Sequence, residues 1–265
     1  MNMFLHELKA YRKSTIIWTC SLITLVVLFL SIFPAFSKET EAFNEIMKGF
    51  PEPVRKAMGL SLDSMSSVLG FYSYMFLYTT LCGAIQAMNL GTSIVSKESR
   101  EKTADFLLTK PVSRMKIMTS KLMAALTCLV ITNVAYLIVS SIMVSFVSTK
   151  DYSYKLFFMI SITLFFVQLM FLALGIIISV VLPKVKSVLP ISLGTVFTFF
   201  IIGMFAATTG DDAMRYITPF KYFDTNYIMT NSGYEVSFII IEIAFIALAI
   251  TASYFVYSKK DVHAV

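Results

Sequence analysis

Charged residues are scarce in this sequence, and the side chains that build metal sites or disulfide frameworks are few and scattered. Only 14% of the 265 residues are charged, whereas 57% are hydrophobic, which excludes an ordinary soluble domain. The three cysteines, Cys20, Cys82 and Cys128, fall in separate apolar stretches without CxxC spacing, and the two histidines lie near opposite ends of the chain. Neither a metal ion nor a disulfide is therefore expected.

Long apolar runs take the place of these features. A helix needs about 20 apolar residues to cross roughly 30 Å of hydrocarbon, and several stretches meet that requirement. The sequence predicts an all-α, polytopic membrane protein that forms a single transmembrane domain over residues 1–265. Its six transmembrane helices are predicted at residues 16–36, 71–96, 117–147, 156–182, 187–209 and 236–257.

Three segments outside these spans have their own character. Residues 1–14 place Leu5, Leu8 and Tyr11 on one side and charges elsewhere, which predicts an amphipathic elbow helix at the membrane interface. Residues 37–70 form an extracellular loop with short amphipathic helices. Residues 210–235 form a second extracellular loop, which either enters the membrane as short re-entrant helices or lies at the interface with aromatic anchors.

The distribution of Lys and Arg predicts the orientation. Six spans put both termini on one side, and 14 of the 22 Lys and Arg residues lie on that side, against eight on the other. The termini are therefore expected in the cytoplasm of a plasma-membrane protein. Because these basic residues punctuate the spans and do not line an aromatic-interleaved surface, we expect no nucleic-acid partner.

Half of the inside positive charge, seven residues, falls between Lys97 and Lys121. Within the cytoplasmic segment 97–116, Thr103 is a suitable cap for a short helix whose apolar ridge includes Phe106 and Leu107, and Pro111 ends that helix. From the residues alone, this segment is either an ordinary solvated loop or a docking element for a partner.

The run from Glu98 to Arg114 resembles the coupling segment of type-2 ABC-transporter permeases. That segment usually reads as an acid, Gly-Thr, an acid, two leucines, Pro-Val-Ser-Arg and a later Gly-Lys. This sequence departs from it at Lys102 and Ser120, where glycine is usual. The resemblance extends to the N-terminal elbow, the six spans and the stretch Pro219-Phe220-Lys221-Tyr222-Phe223 in the last outer loop.

The resemblance implies a permease subunit whose coupling helix docks into a separate ATP-binding subunit. The sequence lacks a GxxxxGK[ST] phosphate loop. We therefore expect that the protein is not an enzyme and holds no cofactor, and that the partner subunit binds ATP. A homodimer or a heterodimer with a related permease is expected, with a peptide, antibiotic or other amphipathic small molecule as substrate. The residues implied in ATPase coupling are Glu98, Glu101, Thr103, Asp105, Phe106, Leu107, Leu108, Pro111 and Arg114.

A few polar residues lie inside the predicted spans. Glu242, about two turns into the last span from the outer side, is either a translocation-path residue or a packing partner for a nearby hydroxyl or amide. Gln86 and Asn89 in the second span are also path candidates, although the small residues around them favour close helix packing with interhelical hydrogen bonds. Those small residues are Gly83, Ala84, Ala87 and Gly91.

Other classes of membrane protein remain as alternatives. A channel or secondary transporter would use intramembrane charge pairs or inverted repeats, and the sequence shows one acidic residue in a span and no repeat. A membrane-embedded enzyme would need a pattern such as HExxH or clustered carboxylates, which is missing. A membrane immunity or sensor protein that binds its ligand without moving it is the third alternative.

Overall fold

A computed structural model of the chain describes residues 3–57, 65–101, 112–148, 151–182, 184–210 and 212–259, without the side chains of residues 41, 56, 57, 98, 99 and 212. Helices make up nearly all of this part of the chain. In chain order they are α1 (Met3–Phe36), α2 (Thr40–Lys48), α3 (Glu52–Ala57), α4 (Val68–Glu101), α5 (Arg114–Val147), α6 (Tyr154–Val181), α7 (Val188–Thr209), α8 (Asp212–Arg215), a 3₁₀ turn (Pro219–Lys221), α9 (Thr225–Asn231) and α10 (Val236–Lys259).

The six long helices confirm the prediction of six spans. Helices α1, α4, α5, α6, α7 and α10 are each long and apolar enough to cross a membrane. Local chemistry sets several of their ends: the Ser113 hydroxyl accepts the Lys116 N–H at the start of α5, and the Ser153 hydroxyl accepts the Leu156 N–H at the start of α6. Gly210, with φ of 68°, ends α7 in the left-handed conformation.

Helices α4 and α6 form the centre of the bundle. The buried share of the membrane-spanning stretch is 67% in α4 and 61% in α6, whereas it is 22% in each of α1, α7 and α10. Glycines allow the two backbones to approach closely: a Cβ atom on Gly91 of α4 would lie 2.5 Å from the Leu172 carbonyl oxygen, and one on Gly175 of α6 would lie 2.6 Å from that of Met88. The small residues of the second span therefore serve helix packing.

The elbow predicted for residues 1–14 is not a separate helix. Helix α1 runs without interruption from Met3 to Phe36, and no glycine or proline precedes Pro34 to break it. The Thr15 hydroxyl donates to the Tyr11 carbonyl across the predicted boundary, and Glu7 is buried against the bundle. Contacts with the neighbouring helices therefore hold the N-terminal turns in line with the span.

The loop between α1 and α4 contains two short helices, as the sequence predicts. Helix α2 packs back onto the first span through the rings of Phe43 and Phe36, whose centroids are 4.8 Å apart. Ile46, about one turn further along the same face, is exposed, as is Phe50 just beyond the end of the helix, and the charged Glu45 is exposed on the opposite side. This amphipathic arrangement is typical of a helix on a membrane surface.

The segment 212–235 between α7 and α10, called the re-entrant segment below, folds back between the long helices. The Thr218 hydroxyl donates to the carbonyl of Phe199, about 15 Å along α7 from its outer end. The Phe220 ring packs on Phe171, about 26 Å from the outer end of α6 at Tyr154. The 3₁₀ turn thus reaches roughly the middle of the bundle.

Candidate functional site

Three of the nine residues implied in ATPase coupling lie in the described part of the chain, at the end of α4 and the start of α5. Helix α4 continues past the predicted end of its span to Glu101, which is exposed, and its backbone is helical at Glu98. Arg114 begins α5. The remaining predicted coupling residues lie outside the described part of the chain: Thr103, Asp105, Phe106, Leu107, Leu108 and Pro111.

The C-terminal end of α4, beside the coupling segment, is bonded to α1. The ammonium of Lys97 lies 3.7 Å from the carboxylate of Glu7, which is only 3% exposed, and 5.9 Å from the ring centre of Tyr11. The Tyr11 and Ser93 hydroxyls are 2.9 Å apart, and Arg100 Nη2 donates to Ser93 Oγ over 3.1 Å. A displacement of this end of α4 is therefore transmitted to α1.

The N-terminal end of α5, beside the coupling segment, is bonded in the same manner to α4 and α10. Lys121, fully buried, donates to the Ile94 carbonyl of α4. Arg114 Nη1 donates to the carbonyl of Ser258 near the end of α10 over 3.4 Å, and the hydroxyls of Thr119 and Tyr254 are 2.8 Å apart. The two helix ends that flank the coupling segment are thus connected to each other and to two further helices, α1 and α10.

Gln86 belongs to a hydrogen-bond network in the core. Its Nε2 donates to Thr132 Oγ1 over 3.0 Å, and its Oε1 accepts from Gln168 Nε2 over 3.1 Å. Asn133 donates to Gln168 Oε1, and the Thr19 and Thr132 hydroxyls are 2.8 Å apart. The network joins α1, α4, α5 and α6, so Gln86 has the packing role that the sequence left open.

The sequence signal for the rest of this network is weak. Gln168 and Asn133 are single polar residues in long apolar runs, and both bond to residues on neighbouring helices that are distant in the chain. A lone polar residue in a span predicts an interhelical hydrogen bond in general, without identifying the partner. Asn89, one turn from Gln86 on α4, is partly exposed and lies outside the network.

Glu242 lies about two turns from the start of α10, but the start of α10 is itself deep in the bundle. The Thr119–Tyr254 contact places α5 and α10 side by side, and from that level α5 extends about 42 Å outward, against about 27 Å for α10. Helix α10 therefore begins about 15 Å below the outer end of α5. Glu242, about 18 Å above Tyr254, lies near the level of Thr132.

Glu242 is buried in the bundle without a partner among the described residues. Its side chain is 4% exposed, and it forms no hydrogen bond or ion pair with the described part of the chain. The packing partner that the sequence allowed for Glu242 is thus not found among the described residues.

A cavity of about 410 Å³, called the outer cavity below, lies between α4, α6, α7 and the re-entrant segment, toward the helix ends opposite the coupling segment. Ser73 and Thr80 of α4 line it, about 8 Å and 18 Å below the outer end of that helix. Charged residues of the re-entrant segment also line it, namely Arg215, Lys221, Asp224 and Glu235. The sequence analysis did not identify this cavity, because only the fold brings its residues together.

Metal chemistry has no support in the part of the chain described here. Among those residues no group of three His, Cys, Asp or Glu side chains is close enough to hold a metal ion. The three cysteines are free thiols in different places: Cys20 is exposed, Cys82 is partly buried and Cys128 is buried.

Comparison with known protein families agrees with the six membrane-spanning helices. A family model described as ABC-2 family transporter protein matches residues 1–262, nearly the whole chain. A search of curated proteins finds no match.

Proposed function

The chain belongs to the ABC-2 family of transporter proteins, and we propose that it is the permease subunit of an ATP-driven exporter. Members of this family are membrane components of ABC transporters and not the catalytic ATPase. In the proposed complex, a separate ATP-binding subunit binds and hydrolyses ATP, and this chain holds no cofactor. The coupling segment 97–116 docks on that subunit.

The observation that best supports coupling is the fastening of both helix ends beside this segment. The Lys97–Glu7 ion pair ties α4 to α1, and the Arg114–Ser258 hydrogen bond ties α5 to α10. A movement imposed on the segment by nucleotide binding would therefore shift helices on several sides of the bundle. A solvated loop that serves only to orient the protein would need no such connections.

The proposed orientation follows from charge. The Lys and Arg bias puts both termini and the coupling segment in the cytoplasm, with the α2–α3 loop and the outer cavity facing out. The plasma membrane is the proposed location. Two copies, or this chain and a related permease, would enclose the translocation path, and the proposed substrate is a peptide, antibiotic or other amphipathic small molecule.

Co-purification tests this proposal most directly. The tagged chain, purified from membranes of its native cells, should elute in a stoichiometric complex with an ATP-binding subunit that hydrolyses ATP. A channel, secondary transporter or sensor requires no such subunit. Elution of the chain alone, with ATPase activity absent from the fractions, would rule the permease proposal out.

Within that function, we expect Glu242→Gln to lower export without weakening the fold. A buried carboxylate lacking a partner costs free energy in the membrane, on the order of 2.5–3.5 kcal/mol for a charged side chain, so its removal should leave the thermal unfolding temperature equal or higher. Export in membrane vesicles should fall if the carboxylate faces the path.

The matched control is Glu45→Gln, which alters an exposed carboxylate on α2 and should leave export unchanged. A lower unfolding temperature for Glu242→Gln, with normal export by the folded fraction, would instead assign Glu242 to helix packing. These two readouts separate the alternatives that the sequence left open.

A further inference from the structure

The outer cavity has an apolar interior and a charged wall. Rings of Phe76, Phe200 and Phe220 line its apolar part, from α4, α7 and the 3₁₀ turn. Its volume of about 410 Å³ falls within the range of small-molecule sites, roughly 300–1,000 Å³. Apolar surface next to a few charged groups is typical of a site that binds an amphipathic molecule.

The two described carboxylates of the wall already have partners. Asp224 Oδ1 accepts the backbone N–H groups of Asn226 and Tyr227 over 2.8 and 3.0 Å. Glu235 Oε1 accepts from Arg215 Nη2 over 2.5 Å. These interactions fix both acids within the fold, so neither is the group best placed to receive a ligand.

Lys221 is in a different situation. Its ammonium forms no hydrogen bond or ion pair within the described residues, although it lines the cavity. The Lys221 side chain is partly buried, so its charge is incompletely hydrated. An anion at the ammonium would reverse the unfavourable effect of burial.

A second polar group on the wall also lacks a partner. The Ser73 hydroxyl is buried, and Ser73 is 8% exposed, yet its oxygen has no hydrogen-bond partner in the described chain. An unsatisfied buried hydroxyl costs about 1–3 kcal/mol. Hydroxyl and ammonium are both hydrogen-bond donors, so the unpartnered groups of this wall favour hydrogen-bond acceptors.

We infer that the outer cavity binds an amphipathic anion, whose acidic group pairs with Lys221 and whose apolar part lies among Phe76, Phe200 and Phe220. A cationic amphipath would meet Lys221 and Arg215, and a neutral one would leave the ammonium unpaired. This inference deepens the proposed function by naming a ligand class for the permease subunit, either an exported compound or a bilayer lipid.

Binding of lauric acid tests the inference without the ATPase. The full chain is placed in phosphatidylcholine nanodiscs, and lauric acid displaces a fluorescent fatty acid, with empty discs as the background. Lys221→Met should weaken lauric acid binding about tenfold or more, because a charge-assisted hydrogen bond is lost. Lys221→Arg should restore most of the affinity, and Lys155→Met, at an exposed lysine on α6, should change nothing.

Ala207→Phe supplies an independent test, because it fills the cavity and leaves every charge in place. It should also abolish displacement, while thermal unfolding in the same discs shows that the variant is folded. Equal binding of lauric acid and dodecyltrimethylammonium to the unmodified protein would overturn the inference. Unchanged affinity in both Lys221→Met and Ala207→Phe would overturn it as well.

A further arm identifies the source of the anion. Phosphatidylglycerol added to the discs should compete with lauric acid if the natural ligand is a lipid, and its failure to compete would assign the site to a free amphipath. Either result is consistent with an anion site in the outer cavity. Since no arm depends on ATP hydrolysis, the inference can fail while the ATPase complex still assembles, and the reverse also holds.

Discussion

Replacing Gly175 with leucine should prevent the chain from accumulating as folded protein. A Cβ atom there would lie 2.6 Å from the Met88 carbonyl oxygen and 2.9 Å from the Thr92 nitrogen, both backbone atoms of α4. Backbone cannot rotate away as a side chain can, so the two central helices would have to separate. Overpacking of this kind costs about 3 kcal/mol or more. The measurement is the yield of monodisperse protein in size-exclusion chromatography, together with its thermal unfolding.

Gly194→Leu is the matched control for this prediction. Gly194 lies in a membrane-spanning helix as well, on α7, but a Cβ atom there would have no other atom within 4 Å. The control adds the same apolar volume to the chain and should fold normally. Wild-type yield and stability for Gly175→Leu would show that the close approach of α4 and α6 is not essential to the fold.

The six spans could be predicted from sequence because they depend on a local property. An apolar run of about 20 residues specifies a membrane helix whatever its neighbours are. The elbow could not be predicted correctly, because its course depends on a tertiary contact: the amphipathic pattern at Leu5 and Leu8 suits an interface, but Glu7 instead pairs with Lys97 on α4. Local pattern decides that a helix forms, and packing decides where it runs.

The candidate sites also differ in how far the sequence alone could identify them. Gln86 and Glu242 stand out in the sequence as polar residues within apolar runs, and the structure gives the first a packing network and leaves the second without a partner among the described residues. The outer cavity had no local signal. Lys221 and Ser73 are ordinary residues for a loop and a helix end, and they become a candidate site only when the re-entrant segment folds between α4, α6 and α7.

The strongest functional effect is expected from Leu107→Asp combined with Glu101→Lys. In the proposed docking, Leu107 fills an apolar groove of the ATPase and Glu101 pairs at its rim. A buried charge at the first position and a reversed charge at the second should cost at least about 2 kcal/mol, or roughly 30-fold in affinity. The ATPase subunit should then be lost from the purified complex, and ATP hydrolysis should no longer drive export in proteoliposomes.

Glu45→Lys is the control, because it reverses an exposed carboxylate on the outer helix α2 and should leave the complex intact. A complex of Leu107→Asp/Glu101→Lys that assembles with full activity would show that the ATPase docks elsewhere. The structure shows how this variant tests docking separately from folding. The double variant leaves in place the ion pair of Lys97 with Glu7 and the hydrogen bond of Arg114 with Ser258. An unaltered thermal unfolding curve with lost ATPase binding therefore separates docking from the integrity of the bundle.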